Sequence, residues 1–120
     1  MPLMTPKRCL FILRAYPLKA HDLQEVFDQV LTFKAFDLFV SLLFLDASVK
    51  FLDQGQEGQQ PGLLGLLDAL AFYGVDQMLV EEESLLDHQL SLERLLIPVT
   101  VIARSDCSDL ILEHDLVLAG

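Results

Sequence analysis

Five short, almost purely apolar runs punctuate the chain at Cys9 to Leu13, Leu38 to Leu45, Met78 to Val80, Val99 to Ala103 and Leu116 to Ala119, separated by polar turns and helix-like segments. A strand dispenses with polar–apolar alternation only where both of its faces are covered, so these runs read as buried strands of a parallel sheet. After the first strand Ala15-Tyr16-Pro17 turns the chain. His21 or Asp22 then opens a helix whose Leu23, Val26, Phe27, Val30 and Leu31 follow the i, i+3, i+4, i+7, i+8 pattern of one buried face. The second strand leads into a short helix from Ala47 to Asp53, with Ser48 or Asp46 available as its cap.

Gln54 to Gln60 reads as a surface loop, and Pro61 begins a leucine-striped helix through Leu63, Leu66, Leu67 and Leu70 that Gly74 stops. Asp76 to Val80 forms the third strand, Glu81-Glu82-Glu83-Ser84 opens a helical turn, and Ser91 to Leu96 forms another. Pro98 allows a strand only at its start, which gives the fourth from Val99. Asp106 or Ser105 caps a last helix to about Glu113, and the fifth strand closes the chain. The order βαβααβαβαβ predicts a single α/β domain over residues 1–120: a doubly wound, mostly parallel five-stranded sheet with helices on both faces. In such folds chemistry gathers past the carboxyl ends of the strands, and here those ends are nearly bare of reactive side chains.

Composition sharpens this picture in one respect. Hydrophobic residues make up 52% of the 120 residues and the mean hydropathy is +0.43, an excess that predicts apolar surface buried against another subunit. No apolar run approaches a membrane span, and the run after Lys7 and Arg8 is too short for a signal-peptide core, so the chain reads as cytoplasmic. The formal charge of −10, from 18 acids against 8 bases, disfavours direct nucleic-acid binding. Charge is unevenly spread: Lys7, Arg8, Arg14 and Lys19 precede every acid, which predicts a cationic corner at the first strand and its loop, or simply its solvated flanks.

Specific motifs are missing. There is no G-x-G-x-x-G after the first strand and no phosphate-binding P-loop, and Gly62 and Gly65 read as close-packing positions in a leucine-rich helix. A phospho-receiver would want acids where Arg14 stands. Cys9 and Cys107 have neither metal nor redox spacing, so no cofactor or metal is expected. Cys9 reads as a small core hydrophobe. Cys107 lies near a helix N-terminus, where dipole and amides favour a thiolate, although Asp106 and Asp109 oppose it. His21, His88 and His114 have no nucleophile elbow to serve and read as surface or capping residues. Glu81, Glu82 and Glu83 read as acids complementing a helix N-terminus or as an acidic rim for a basic partner.

Phe44-Leu45-Asp46-Ala47-Ser48-Val49, Phe51-Leu52, Gly55-Gln56, Leu70 to Gln77, Ile97-Pro98-Val99 and Asp115 to Leu118 together resemble the DsrE/DsrF-like sulfur-relay family, and within it the TusC (DsrF) type of subunit. The resemblance covers nearly the whole chain and rests mostly on fold-making apolar residues. It implies a cytoplasmic heterohexamer with TusB-like and TusD-like subunits that hands persulfide sulfur to a downstream acceptor protein. The sulfur goes toward 2-thiolation of the tRNA wobble uridine, or serves sulfur oxidation in the Dsr version. In TusD-like subunits the active cysteine lies at the end of strand three. Here that stretch reads Met78-Leu79-Val80-Glu81, which implies a structural, non-catalytic role. Two positions depart from the family: Ser48 stands in place of a usual glycine, and no glycine follows Pro17. Two other readings stand beside this one: a sulfurtransferase carrying persulfide on Cys107, and a stand-alone homo-oligomeric small-ligand-binding protein.

Overall fold

Each apolar run forms a strand of one sheet. The computed structural model describes residues 7–14, 20–53 and 63–119. Its elements in chain order are β1 (Arg8–Leu13), α1 (Ala20–Ala35), β2 (Phe39–Phe44), a 3₁₀ segment (Asp46–Leu52), α2 (Leu63–Ala69) continued by a π turn (Leu70–Gly74), and β3 (Gln77–Glu81). There follow α3 (Glu82–Asp87), a 3₁₀ turn (Leu92–Arg94), β4 (Thr100–Ile102), α4 (Arg104–Leu112) and β5 (Leu116–Ala119). The sheet order is β4-β3-β2-β1-β5 and every pairing is parallel.

Strand residues of alternate parity feed two cores, which is why the runs show no alternation. Phe11, Leu13, Val40, Leu42, Phe44 and Val80 pack with Val26 and Val30 of α1 and with Leu67 and Leu70. On the other face Leu10, Ile12, Leu43 and Leu79 pack against Cys107, Leu110 and Ile111 of α4. Helices therefore cover both faces, but unequally: among the described residues the second has α4 alone. Cys9 is fully buried, as its reading as a core hydrophobe requires.

Several local expectations shift. Leu31 is half out in solvent at 41% exposure, and Phe33 replaces it against the core through a tilted contact with Phe11 at 5.8 Å. The segment after β2 is 3₁₀ rather than α and has no side-chain cap; the Ser48 hydroxyl lies 2.6 Å from the carbonyl of Leu13 and 2.7 Å from that of Leu45. In α4 the helix begins at Arg104, ahead of Ser105 and Asp106, and neither caps it. A methyl group at Gly65 would meet nothing within 4 Å, so close packing does not explain that glycine. Gly62, Pro61, the loop from Gln54 to Gln60, Tyr16, Pro17 and Lys19 lie outside the described residues.

Gly74 does carry a steric requirement. A Cβ there would sit 3.0 Å from Val30 Cγ1, because the π turn brings this backbone down onto α1. Gly74→Ala is expected to cost about 1–3 kcal/mol through overpacking, read as a lowered urea midpoint; a midpoint unchanged from wild type would mean that α1 yields freely.

Of the expected cationic corner, Arg8 and Arg14 do not share one patch, and Lys19 lies outside the described residues. Arg8 and Arg14 sit at opposite ends of β1, about 20 Å apart at the rise of an extended strand. Arg8 lies over the Phe39 ring at 4.4 Å, and its backbone N–H donates to Asp115 Oδ2 at 2.8 Å.

On the outer side β5 is short and wholly apolar, with Leu116 and Val117 each about two-fifths exposed.

Candidate functional site

The crossovers step outward from β1 to β4 and then return to β5 on the far side of β1, so the topological switch point lies between β1 and β5. Arg14 stands exposed at the end of β1, and the residues after it are outside the described set. Among the described residues, the dense polar cluster at the carboxyl edge forms at the end of β3.

Its centre is Glu81, the last residue of β3, only 4% exposed. Burial alone works to raise its carboxyl. The hydrogen bonds from Arg104 and Ser84 and the Arg104 charge outweigh that and hold it below the ordinary carboxylate value. Ser84 Oγ donates to Glu81 Oε1 at 2.6 Å, and Arg104 Nη2 reaches the same oxygen at 3.0 Å. The Ser84 hydroxyl in turn accepts the Asp46 N–H at 2.8 Å, tying the ends of β2 and β3 together. Asp46 takes a left-handed conformation at φ 53°, a region aspartate tolerates better than most residues.

Glu83 supplies what α4 lacks within itself. Its Oε1 accepts the Arg104 N–H at 2.8 Å, capping the helix from a neighbouring element. The acids after β3 thus split by role: Glu81 is buried and cannot form a rim, Glu83 caps α4, and Glu82 stays exposed in the first turn of α3. Arg104 also lies 3.7 Å from Asp87.

Cys107 belongs to this cluster. It is 9% exposed, and its Sγ lies 3.7 Å from Glu81 Oε2 and 3.7 Å from the carbonyl of Ala103, an acceptor on either side for the thiol proton. Burial first, and then the Glu81 charge and hydrogen bond, push the thiol up to about 11, against only a small lowering by Arg104. The helix dipole does not make a thiolate here because burial, and after it a buried carboxylate on another element, favour the protonated thiol.

No hydrogen bond joins either described histidine to Cys107. His114 is buried at the opposite end of the sheet, with Nδ1 2.7 Å from the carbonyl of Leu110 and Nε2 3.0 Å from Ser41 Oγ. The surface reading of His114 is therefore corrected: the α4–β5 turn folds it over Ser41. His88 is half-buried and follows α3 as its C-cap; the side chain of His21 is outside the described residues. No three potential metal ligands gather among the described residues.

Glu81 also makes the fold acid-sensitive in a defined sense. A carboxyl held below its ordinary value of 4.5 stabilises the fold above that pH, and the contribution disappears as pH falls through the lowered value. Wild type is expected to lose stability over this acidic window and Glu81→Gln to lack that component, with urea midpoints compared between pH 6 and pH 3; parallel pH profiles would remove Glu81 as the cause.

Sequence reasoning picked out Glu81, Glu83 and Cys107 separately and missed Arg104, which joins them. Its only local signals are the i, i+3 spacings Glu81–Ser84 and Arg104–Cys107.

The profile of the DsrE/DsrF-like family matches residues 7–119. The chain is 37% identical over 112 residues to the Protein TusC homolog of Pseudomonas aeruginosa, covering 91% of this chain and 94% of that one. Among solved structures, the ychN protein from E. coli superposes with a TM-score of 0.70 at 17% identity, covering 97% of this chain and all of that one. MTH1491, a protein of unknown function from Methanobacterium thermoautotrophicum, superposes with a TM-score of 0.74 at 14% identity, covering 95% and 99%. These two similarities concern the fold.

Proposed function

The chain belongs to the DsrE/DsrF-like family, and from that membership we propose that it is a non-catalytic, structural subunit of a TusBCD/DsrEFH-type sulfur-relay complex. Its partners in this reading are TusB-like and TusD-like chains in a cytoplasmic heterohexamer, and the complex passes persulfide sulfur to a downstream acceptor for 2-thiolation of the tRNA wobble uridine. No helix among the described residues is long and apolar enough to cross a membrane.

The observation that carries the reading is the end of β3. In the family's persulfide-carrying subunits a cysteine is expected there; this chain presents a buried carboxylate instead, locked to Ser84 and Arg104. A negative, hydrogen-bonded oxygen accepts protons and cannot hold sulfane sulfur. The nearest thiol, Cys107, is kept protonated by its burial and then by that same carboxylate, which counts against the sulfurtransferase alternative.

Co-expression with TusB-like and TusD-like chains tests the assembly, with native mass spectrometry giving copy number. The expected result is a mixed complex that takes up sulfur from a persulfide donor only on the other subunits. Stable persulfide on this chain in isolation, lost in Cys107→Ser, would overturn the non-catalytic role. The tRNA branch is tested by deleting the gene and measuring 2-thiouridine in tRNA, expected to fall sharply.

A further inference from the structure

At the amino-terminal end of β3 and β4, away from Glu81, a cleft of about 370 Å³ opens between the π turn and the entry to β4. Its floor and walls include Phe72, Val75, Met78, Ile97 and Val99. Two further features distinguish it from an ordinary surface fold.

Phe72 and Tyr73 are 80% and 77% exposed, side by side with ring centroids 6.4 Å apart. The turn that carries them is firmly seated: Leu70 is fully buried, the Val75 N–H donates to the Leu70 carbonyl at 2.8 Å, and Gly74 packs against Val30. Neighbouring aromatics held rigidly in water are the anchor type found at the energetic centre of protein interfaces.

The cleft also holds two carboxylates in contrasting states. Asp76 is engaged through Oδ2, which accepts from Lys34 Nζ at 2.7 Å and from the Val40 N–H at 2.7 Å. Asp68, one helical turn before Phe72, is half-buried on the apolar wall with no cation or donor among the described residues. A half-buried carboxylate beside an aromatic ring suits a cation on a long apolar stem, whose methylenes lie on the ring while its head meets the acid.

We propose that this cleft seats a lysine or arginine side chain, flanked by apolar residues, from another subunit of the relay complex; the assignment rests on the relay reading above. A second copy of this chain is the poorer occupant, because it brings the same charge of −10 to an acidic cleft. The seat lies at the end of the sheet opposite Glu81, so docking there leaves the carboxyl edge of β3 uncovered.

The test measures affinity of the full chain for the TusB-like and TusD-like subunits, separately and together, by titration calorimetry at two salt concentrations. Phe72→Ala and Asp68→Asn are each expected to weaken binding of one partner roughly tenfold or more, and Asp68→Asn to flatten its salt dependence. Leu112→Ala, a change at an 81% exposed leucine on α4, is the control and is expected to bind as wild type. Unaltered binding by both cleft variants would overturn the seat while leaving relay membership intact. Cleft variants that change only self-association would assign the seat to a second copy and overturn the proposal. A wild-type chain that binds neither subunit would overturn the relay reading and this inference together.

Discussion

Cys107 in the folded chain is expected to react with iodoacetamide at neutral pH roughly tenfold or more slowly than in the unfolded chain. A thiol pushed from 9.0 up to about 11 has its thiolate fraction cut about a hundredfold, and the greater nucleophilicity of a more basic thiolate returns roughly a factor of ten. Burial at 9% exposure slows attack further. Removing the carboxylate charge in Glu81→Gln is expected to speed the reaction, since Glu81 is the largest contributor after burial. Peptide mass mapping after timed alkylation separates Cys107 from Cys9, whose thiol burial also pushes up. A folded-state rate equal to that in denaturant would break the argument. The same shift has a stability sign. The fold retains the thiol proton above pH 9, where the unfolded chain loses it, so stability should decline as pH rises from about 9 toward 11.

Phe44→Ala is expected to cost about 3–5 kcal/mol, a large part of the roughly 5–15 kcal/mol available to a domain of this kind. Phe44 is fully buried on β2, paired with Leu13 on one side and Val80 on the other. Its ring belongs to the larger core, where α1, α2 and the 3₁₀ segment converge. Truncation leaves a void walled by sheet backbone on both flanks, which cannot close in. Urea denaturation followed by circular dichroism checks the value; a loss below about 1 kcal/mol would mean the core repacks around the gap.

The strands were legible because burial on both faces writes an unbroken apolar run, and the turn residues between runs mark their ends. Helix positions were legible wherever one face meets the core, as at Val26 and Val30. Errors fell where the deciding contact comes from another element. Phe33 wins over Leu31 because it meets Phe11 on β1. The α4 cap comes from Glu83, twenty-one residues earlier, and not from the local Ser105 or Asp106. For Cys107 the sequence offered a helix dipole against two flanking acids, yet burial and a carboxylate on β3 raise its thiol. His114 looked solvent-facing, yet Ser41 holds it inside. Spacing along a helix or strand reports its own face; it carries no record of which side chains the sheet order later brings together.

The bare outer strand β5 gives the surplus of acid a second significance. Leu116 to Ala119 carries no charge and no proline, and one row of its peptide groups has no strand beside it among the described residues. Any extended peptide can hydrogen-bond to that row, including the same strand of another molecule. Mutual repulsion between chains of charge −10 opposes such edge-to-edge stacking, and added salt shortens its reach. The charge that opposes such contact is a property that plays no part in building the core.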